Sequence, residues 1–144
     1  MSKITEFVAK AMSDTTNAHA EYIIGIVAPI QGQKIAQDLG IRTIAGAEKV
    51  LTAHAVRHAF VRHAAKKSES ERGQVGITEA DFEYLADILS NPTSIEKGDE
   101  QHRKANDIIK FSKKVKGRIY TVLMSVTRTT ERAKLFFNTM FIKA

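Results

Sequence analysis

The sequence predicts an α+β fold in which N-terminal helices pack on a C-terminal antiparallel sheet of three or four strands. Before Asp107 the apolar residues recur mainly with helical spacing, and after it their period changes to two. The dipeptide Lys116-Gly117 interrupts the alternating segment and is typical of a tight turn between paired strands. We therefore expect a single domain over residues 1–144, with an N-terminal strand and helix extension over 1–44 and a core over 45–144.

The extension contains three predicted elements. Residues 3–12 place their apolar side chains on one face of a short helix. The β-branched segment Glu21 to Ala28 predicts a strand in which Gly25 marks a bulge. Pro29 suits the first turn of a helix that ends at Gly40, which takes the C-terminal capping position.

The stretch from Ala47 to Ala65 is predicted to form one helix, because it is rich in alanine and lacks Gly and Pro. It holds three of the five histidines of the chain. His54, His58 and Arg62 fall on one broad face, and His63 points another way. Imidazoles titrate near neutrality, so this helix offers more chemistry than packing requires.

The segments that follow complete the helical half. Lys66 to Gly76 is polar and predicts a loop. Thr78, with an acid three residues later, predicts the start of a helix that Asn91-Pro92 ends. The charged, aperiodic segment Thr93 to Asn106 predicts a surface loop.

The sheet is predicted as a meander with strands at about 109–115, 119–126 and 134–142. In the second strand Tyr120, Val122, Met124 and Val126 lie on one side. In the third strand strict alternation places Thr139 on the same face as Phe137 and Phe141.

Composition narrows the functional classes. The chain has no cysteine, which excludes disulfides and thiolate chemistry and fits a reducing compartment. No apolar run is long enough to span a membrane, and the N-terminus does not have the pattern of a signal peptide. The net charge is +6, and residues 108–144 alone carry nine basic and one acidic side chain. This charge favours a polyanion as partner, or else a solvated basic surface.

The segment from Ala55 to His63, AVRHAFVRH, resembles the I-R-H-x-x-x-R-H-G signature of phage-associated nucleases with the barnase, EndoU, colicin and RelE-like fold, called BECR. The chain departs from the signature at Ala64, where the family often has glycine. The similarity continues through the segment 77–92 and into the sheet, at Phe111, Gly117, Tyr120 and the triplet Thr139-Met140-Phe141. It covers roughly residues 45–144.

The resemblance implies a metal-independent ribonuclease, found as a toxin module or attached to phage structural proteins. Such cleavage needs a base, an acid and cations for the phosphorane. The candidate catalytic residues are His58, His63, Arg62 and Thr139. His58 could instead be a buried structural histidine, and His63 could cap the end of its helix. His54 has the spacing of a two-histidine metal site, but no third ligand accompanies it, so we expect core or supporting roles and no metal.

The predicted hairpin is a second candidate surface. Its residues Lys110, Lys113, Lys116, Arg118 and Tyr120 combine positive charge with an aromatic ring, which suits single-stranded nucleic acid. Lysines on an edge strand also protect against aggregation, and this alternative stays open.

The leading prediction is an endoribonuclease of toxin type that cuts RNA by 2′-hydroxyl transesterification without a cofactor. Its expected partners are RNA and a cognate acidic immunity or antitoxin protein, in the cytoplasm of a producing or target bacterial cell. The alternative is a catalytically inactive nucleic-acid-binding or phage structural module. Convergence of His58, Arg62 and Thr139 in one cleft would favour the enzyme.

Overall fold

The computed structural model describes residues 2–16, 19–63, 73–98, 107–128 and 132–144. In chain order the elements are α1 (Lys3–Ser13), β1 (Glu21–Ile26), α2 (Pro29–Leu39), β2 (Glu48–Thr52), α3 (Ala53–His63), β3 (Gln74–Val75), a 3-10 helix (Glu79–Tyr84) continued by α4 (Leu85–Ser90), β4 (Ser94–Lys97), β5 (Asp107–Val115), β6 (Arg118–Arg128) and β7 (Ala133–Lys143).

The mixed α+β class is confirmed, but the sheet has seven strands in the described residues and the predicted count of three or four is wrong. Its order is β1-β2-β7-β6-β5-β4, with β3 paired to β7. The sheet is also not purely antiparallel, because β2 runs parallel to β7. The predicted meander forms its centre as β5, β6 and β7. The additional strands are short or lie far along the chain from their partners.

The largest correction concerns the predicted helix over 47–65. Residues Glu48–Thr52 form β2, which lies between β1 and β7, and α3 begins only at Ala53. In this position the backbone of β2 bonds to a strand on each side. The Thr52 hydroxyl accepts the backbone N–H of Ala55 at 3.1 Å and so provides an N-terminal cap at the helix start. Residues 64–65 lie outside the described residues.

The N-terminal elements agree with the sequence prediction. Helix α1 forms, the β1 register shifts between Ile23 and Gly25 as a bulge requires, and α2 ends at Gly40 with φ of 72°. Strand β1 is a member of the main sheet, and α1 contacts α3 and the 3-10 helix. The extension therefore contacts the rest of the fold through both of these elements.

The central hairpin has the predicted turn. Lys116 and Gly117 have φ angles of 50° and 80°, and Val115 pairs with Arg118. Two consecutive positive φ angles match the right-handed twist of the flanking strands.

Strand β7 contains a bulge that the sequence prediction missed. Leu123 of β6 pairs with Thr139, and Met124 pairs with Phe137, so Asn138 has no partner opposite it. The extra residue reverses the alternation of side chains. Phe137 therefore lies with Met124 on one face, and Thr139 and Phe141 lie on the other. The prediction that these three residues of β7 share a face is wrong.

The core lies between the helices and one face of the sheet, which we call the inner face. The four residues predicted to share one side of β6 are buried there. The 3-10 helix packs on the same face through Phe82, whose ring centroid is 5.7 Å from that of Phe137 in β7. The opposite face, the outer face, carries Thr121, Leu123 and Ser125 from β6. This second face supplies part of the site described next.

Three predicted segments need adjustment. The segment from Thr78 to Asn91 begins as a 3-10 helix and becomes α-helical at Leu85. The predicted loops contain the short strands β3 and β4, because each forms backbone bonds with a neighbouring strand. The remainder of those two loops lies largely at 66–72 and 99–106, outside the described residues.

Candidate active site

Helix α3 lies along an open stretch of the β7 edge. On the edge of β7 that faces away from β6, β2 pairs with residues 134–136 and β3 with residues 142–143. Within the described chain no strand pairs with residues 137–141 on that edge. Helix α3 starts directly after β2 and contacts β7 over this gap. The side chains on one side of α3 pack into the core, and those on the other side lie next to the outer face of the sheet.

A cleft of about 250 Å³ opens where α3 leaves β2 and passes the bulge of β7. The described residues that line it are Thr52, His54, Ala55, His58, Phe137 and Asn138. Phe137 is 2% exposed, so its side chain belongs to the core. The polar groups at the cleft are therefore two imidazoles, a hydroxyl and an amide.

The two imidazoles face each other across one helical turn. The ring centroids of His54 and His58 are 6.3 Å apart, and the ring planes meet at 16°. Both residues are exposed, because the buried side of α3 is formed by Ala53, Val56, Ala59 and His63. His54 is thus neither buried nor part of the core, and His58 is not the buried structural histidine that was one alternative.

The other two charged candidates on α3 have different surroundings. Arg62 follows His58 by one turn and is exposed. His63 is 6% exposed, and its ring centroid is 5.9 Å from that of Phe141. The His63 carbonyl accepts the backbone N–H of Ile77 at 2.9 Å. Neither residue is among those that line the cleft.

The bulge of β7 places two polar residues beside the cleft. The Ser125 hydroxyl on β6 donates to Oδ1 of Asn138 at 2.7 Å. The next residue, Thr139, has a buried Oγ1 that makes no hydrogen bond with any of the described residues. Such an unpaired buried hydroxyl is uncommon in folded proteins.

The sequence model of a nuclease family matches residues 25–144. Its description is "phage-Barnase-EndoU-ColicinE5/D-RelE like nuclease3". The chain belongs to this nuclease family. The recognition made from the Arg-His pairs of α3 and the order of elements after them is confirmed. Comparison with curated proteins and with solved structures finds no similar chain.

Two of the hairpin lysines of this nuclease, Lys110 and Lys113, contact carboxylates or carbonyls. Lys113 lies 3.0 Å from Oδ2 of Asp87 and donates to the Asn91 carbonyl at 3.0 Å. The hydrogen bond from this ammonium lowers the pKa of the Asp87 carboxyl below its usual value. Lys110 lies 3.8 Å from Glu96. Both of these predicted binding residues are therefore in contact with acidic side chains that precede the hairpin in the sequence.

Tyr120 is a core residue in this nuclease. It is 3% exposed, and its hydroxyl donates to Oδ1 of Asp81 at 2.6 Å. Burial, followed by this hydrogen bond, raises the pKa of the Tyr120 phenol above its ordinary value. The same carboxylate accepts the backbone N–H of Thr78 at 2.8 Å, which caps the 3-10 helix. In this arrangement the ring cannot stack on a nucleic-acid base.

The remaining cations of the hairpin lie at its turn. Lys116 is exposed above the ring of Tyr84, with Nζ 5.5 Å from the ring centroid. Arg118 is exposed at the start of β6. Lys114 and Lys143 pair with Ile119 from the two neighbouring strands, so the three residues form one cross-strand row on the outer face. No ion pair of Lys114 or Lys143 occurs within the described residues.

Among the described residues, no group of three or more His, Cys, Asp or Glu side chains could hold a metal ion. The helices of that part of the chain are all too short or too polar to cross a membrane.

Asn138 and Ser125 are the site residues that sequence reasoning missed. Nothing in the local sequence signals a bulge, because residues 137–139 contain no Gly or Pro. The Thr52 cap could have been found, since threonine is a preferred capping residue before a helix.

Proposed function

We propose that this nuclease cleaves RNA by internal transesterification without a metal ion. The proposal depends chiefly on one observation, the exposed pair of imidazoles of His54 and His58 in a cleft beside the outer face of the sheet. Membership of a nuclease family supports phosphodiester cleavage as the reaction class. The net charge of +6 favours binding of a polyanion.

The proposed reaction needs two proton transfers, and the cleft offers two groups for them. One imidazole, in its neutral form, takes the proton of the 2′-hydroxyl as the 2′-oxygen attacks phosphorus. The other, protonated, gives a proton to the 5′-oxygen as the P–O5′ bond breaks. The products are a 2′,3′-cyclic phosphate and a free 5′-hydroxyl, so no water or redox partner is consumed. His58 is our first candidate because it matches the family motif, and His54 supplies the second group.

The proposal assigns a different role to each of the other three predicted catalytic residues. Arg62, one turn beyond His58, supplies positive charge for the phosphate. Thr139 is a hydrogen-bond donor to the phosphate at the bulge in this proposal, because its buried hydroxyl has no hydrogen bond among the described residues. His63 is buried against Phe141, which favours a role in holding the end of α3 to β7.

The partner and location follow from the proposed chemistry. A ribonuclease endangers the cell that makes it, and an acidic immunity or antitoxin protein would complement its positive charge. RNA and this partner are both encountered in the cytoplasm of a bacterial cell.

The test is incubation of the purified protein with total RNA and with DNA in excess chelator. We expect RNA fragments that end in 2′,3′-cyclic phosphate and no cleavage of DNA, which lacks the 2′-hydroxyl. Cleavage of both would show a different reaction. Salt-sensitive binding of RNA without any cleavage would favour the alternative, a catalytically inactive binding module.

A further inference from the structure

Asn138 occupies the extra position of the β7 bulge and lines the cleft with His54 and His58. Bulges frequently occur next to active sites, where they turn a side chain out of the regular alternation. Phe137, one residue earlier, points to the inner face, so Asn138 lies on the outer face with Ser125, and the extra residue turns Thr139 to the outer face as well. The bulge therefore brings the amide of Asn138 and the side chain of Thr139 to the face of the sheet that borders the cleft.

The amide is also held in one orientation. Ser125 is 5% exposed, and its hydroxyl donates to Oδ1 of Asn138 at 2.7 Å. Because Oδ1 accepts this bond, Nδ2 points away from Ser125 within the plane of the amide. Within the described chain Nδ2 makes no hydrogen bond. An N–H donor with a fixed direction and no internal partner is what a phosphate oxygen requires.

We propose that Asn138 is a catalytic residue of this nuclease, whose Nδ2–H donates to a non-bridging oxygen of the scissile phosphate. We further propose that Ser125 is its positioning residue. This inference rests on the proposed RNA cleavage at the His54 and His58 cleft. As the 2′-oxygen bonds to phosphorus and before the 5′-oxygen leaves, negative charge grows on the non-bridging oxygens. The amide adds no proton transfer and stabilises this charge through a hydrogen bond made in advance.

The first test compares steady-state cleavage of a short RNA by four variants. Asn138→Ala should lower kcat by about 100- to 1000-fold with little change in KM, because the donor acts chiefly in the transition state. Ser125→Ala should lower kcat by about 3- to 10-fold, since it releases the amide without removing it. In the Asn138→Ala background, Ser125→Ala should cause no further loss.

The matched control is Ser112→Ala. Ser112 also lies on the outer face, and its hydroxyl is 3.3 Å from that of Thr121, so this variant loses a similar bond outside the cleft. It should cleave RNA at the wild-type rate. Thermal melts of all variants separate a loss of folded protein from a loss of kcat. If Asn138→Ala keeps kcat within about 3-fold of wild type, or if Ser125→Ala is equally harmful in both backgrounds, the proposal is overturned.

The second test needs no substitution and no turnover. Inorganic phosphate is titrated into ¹⁵N-labelled wild-type protein, and the side-chain amide resonances of Asn138 are followed by NMR. We expect these resonances to shift together with those of the His58 ring. If RNA is not cleaved but the shift occurs, the cleavage proposal fails and the anion-binding role of Asn138 stands. If RNA is cleaved and the Asn138 resonances do not move, the donor role is refuted.

Discussion

Two basic regions of this nuclease differ in what surrounds their charged groups. On α3, His54 and His58 are exposed and border an open cleft. On the β5–β6 hairpin, Lys110 and Lys113 contact Glu96 and Asp87. Both carboxylates come from the acidic segment that precedes the hairpin. The comparison shows that a local surplus of positive charge in a sequence does not measure the charge available to a ligand, because folding brings segments of opposite sign together.

The largest effect should come from the first region. His58→Ala should reduce RNA cleavage by about 100- to 10,000-fold while preserving the fold, because the side chain is exposed and its proposed task is proton transfer. Cleavage rates and thermal melts of the purified variant measure both quantities. The buried neighbour His63 provides the contrast. His63→Ala should cost about 1–3 kcal/mol of stability, and its activity should follow the folded fraction. A His58→Ala protein that is folded and fully active would remove the cleft from the mechanism.

The second effect concerns Tyr120, which the sequence placed in the binding surface. Tyr120→Phe should lower the free energy of unfolding by about 1–3 kcal/mol, because Oδ1 of buried Asp81 loses its donor. Affinity for a non-cleavable RNA should not change, since the ring is 3% exposed. Urea unfolding and equilibrium binding make the comparison. Weaker RNA binding at unchanged stability would restore Tyr120 to the interface.

A smaller effect should distinguish the lysines that contact carboxylates from those on the outer face. Removing Lys114 and Lys143 together should reduce the slope of log affinity against log salt by about 1.4, if each neutralises one phosphate of a single strand. Removing Lys110 and Lys113 together should change the slope by less than half as much, because both already contact acidic side chains. Affinities at several salt concentrations provide the slopes. Equal slope changes for the two double variants would show that the ion pairs open on binding.

The smallest effect concerns a cation inside the fold. Lys49 is 2% exposed, its Nζ lies 3.4 Å from the Leu89 carbonyl, and burial lowers its pKa below the ordinary value of 10.5. Between its folded-state pKa and 10.5 the unfolded chain binds more protons, so stability should rise with pH in that window. Lys49→Met should raise the melting temperature at neutral pH and remove this rise. A lower melting temperature would show that the carbonyl contact outweighs the cost of burial.

Local signals predicted many of the elements correctly. Helix α1, helix α2 with its end at Gly40, and the turn at Lys116-Gly117 follow from residues close together in the chain. Strand β2 was missed because alanines and histidines just after it favour a helix, and only its pairing with β1 and β7 makes it a strand. Strands β3 and β4 were missed for a similar reason, since two and four residues are too few to show a period.

The residues of the candidate site also differ in whether local sequence or long-range pairing determines their positions. His58 was found through a local motif in one helix. Asn138 was missed because its position depends on the register between β6 and β7. Tyr120 was assigned to the binding surface because alternation separates the two faces of a strand but does not show which face packs in the core and which faces solvent. Burial by the 3-10 helix decided that question.

The central claim is that the histidines of the cleft perform the two proton transfers, and a substrate with a bridging sulfur at the 5′ position tests it most directly. A thiolate leaves without protonation, so this substrate no longer needs an acid. We predict that His54→Ala and His58→Ala are both slow on ordinary RNA, and that the sulfur substrate restores the rate of only one of them. The rescued variant would identify the acid and the other the base. Wild-type rates for both variants on ordinary RNA would contradict the account.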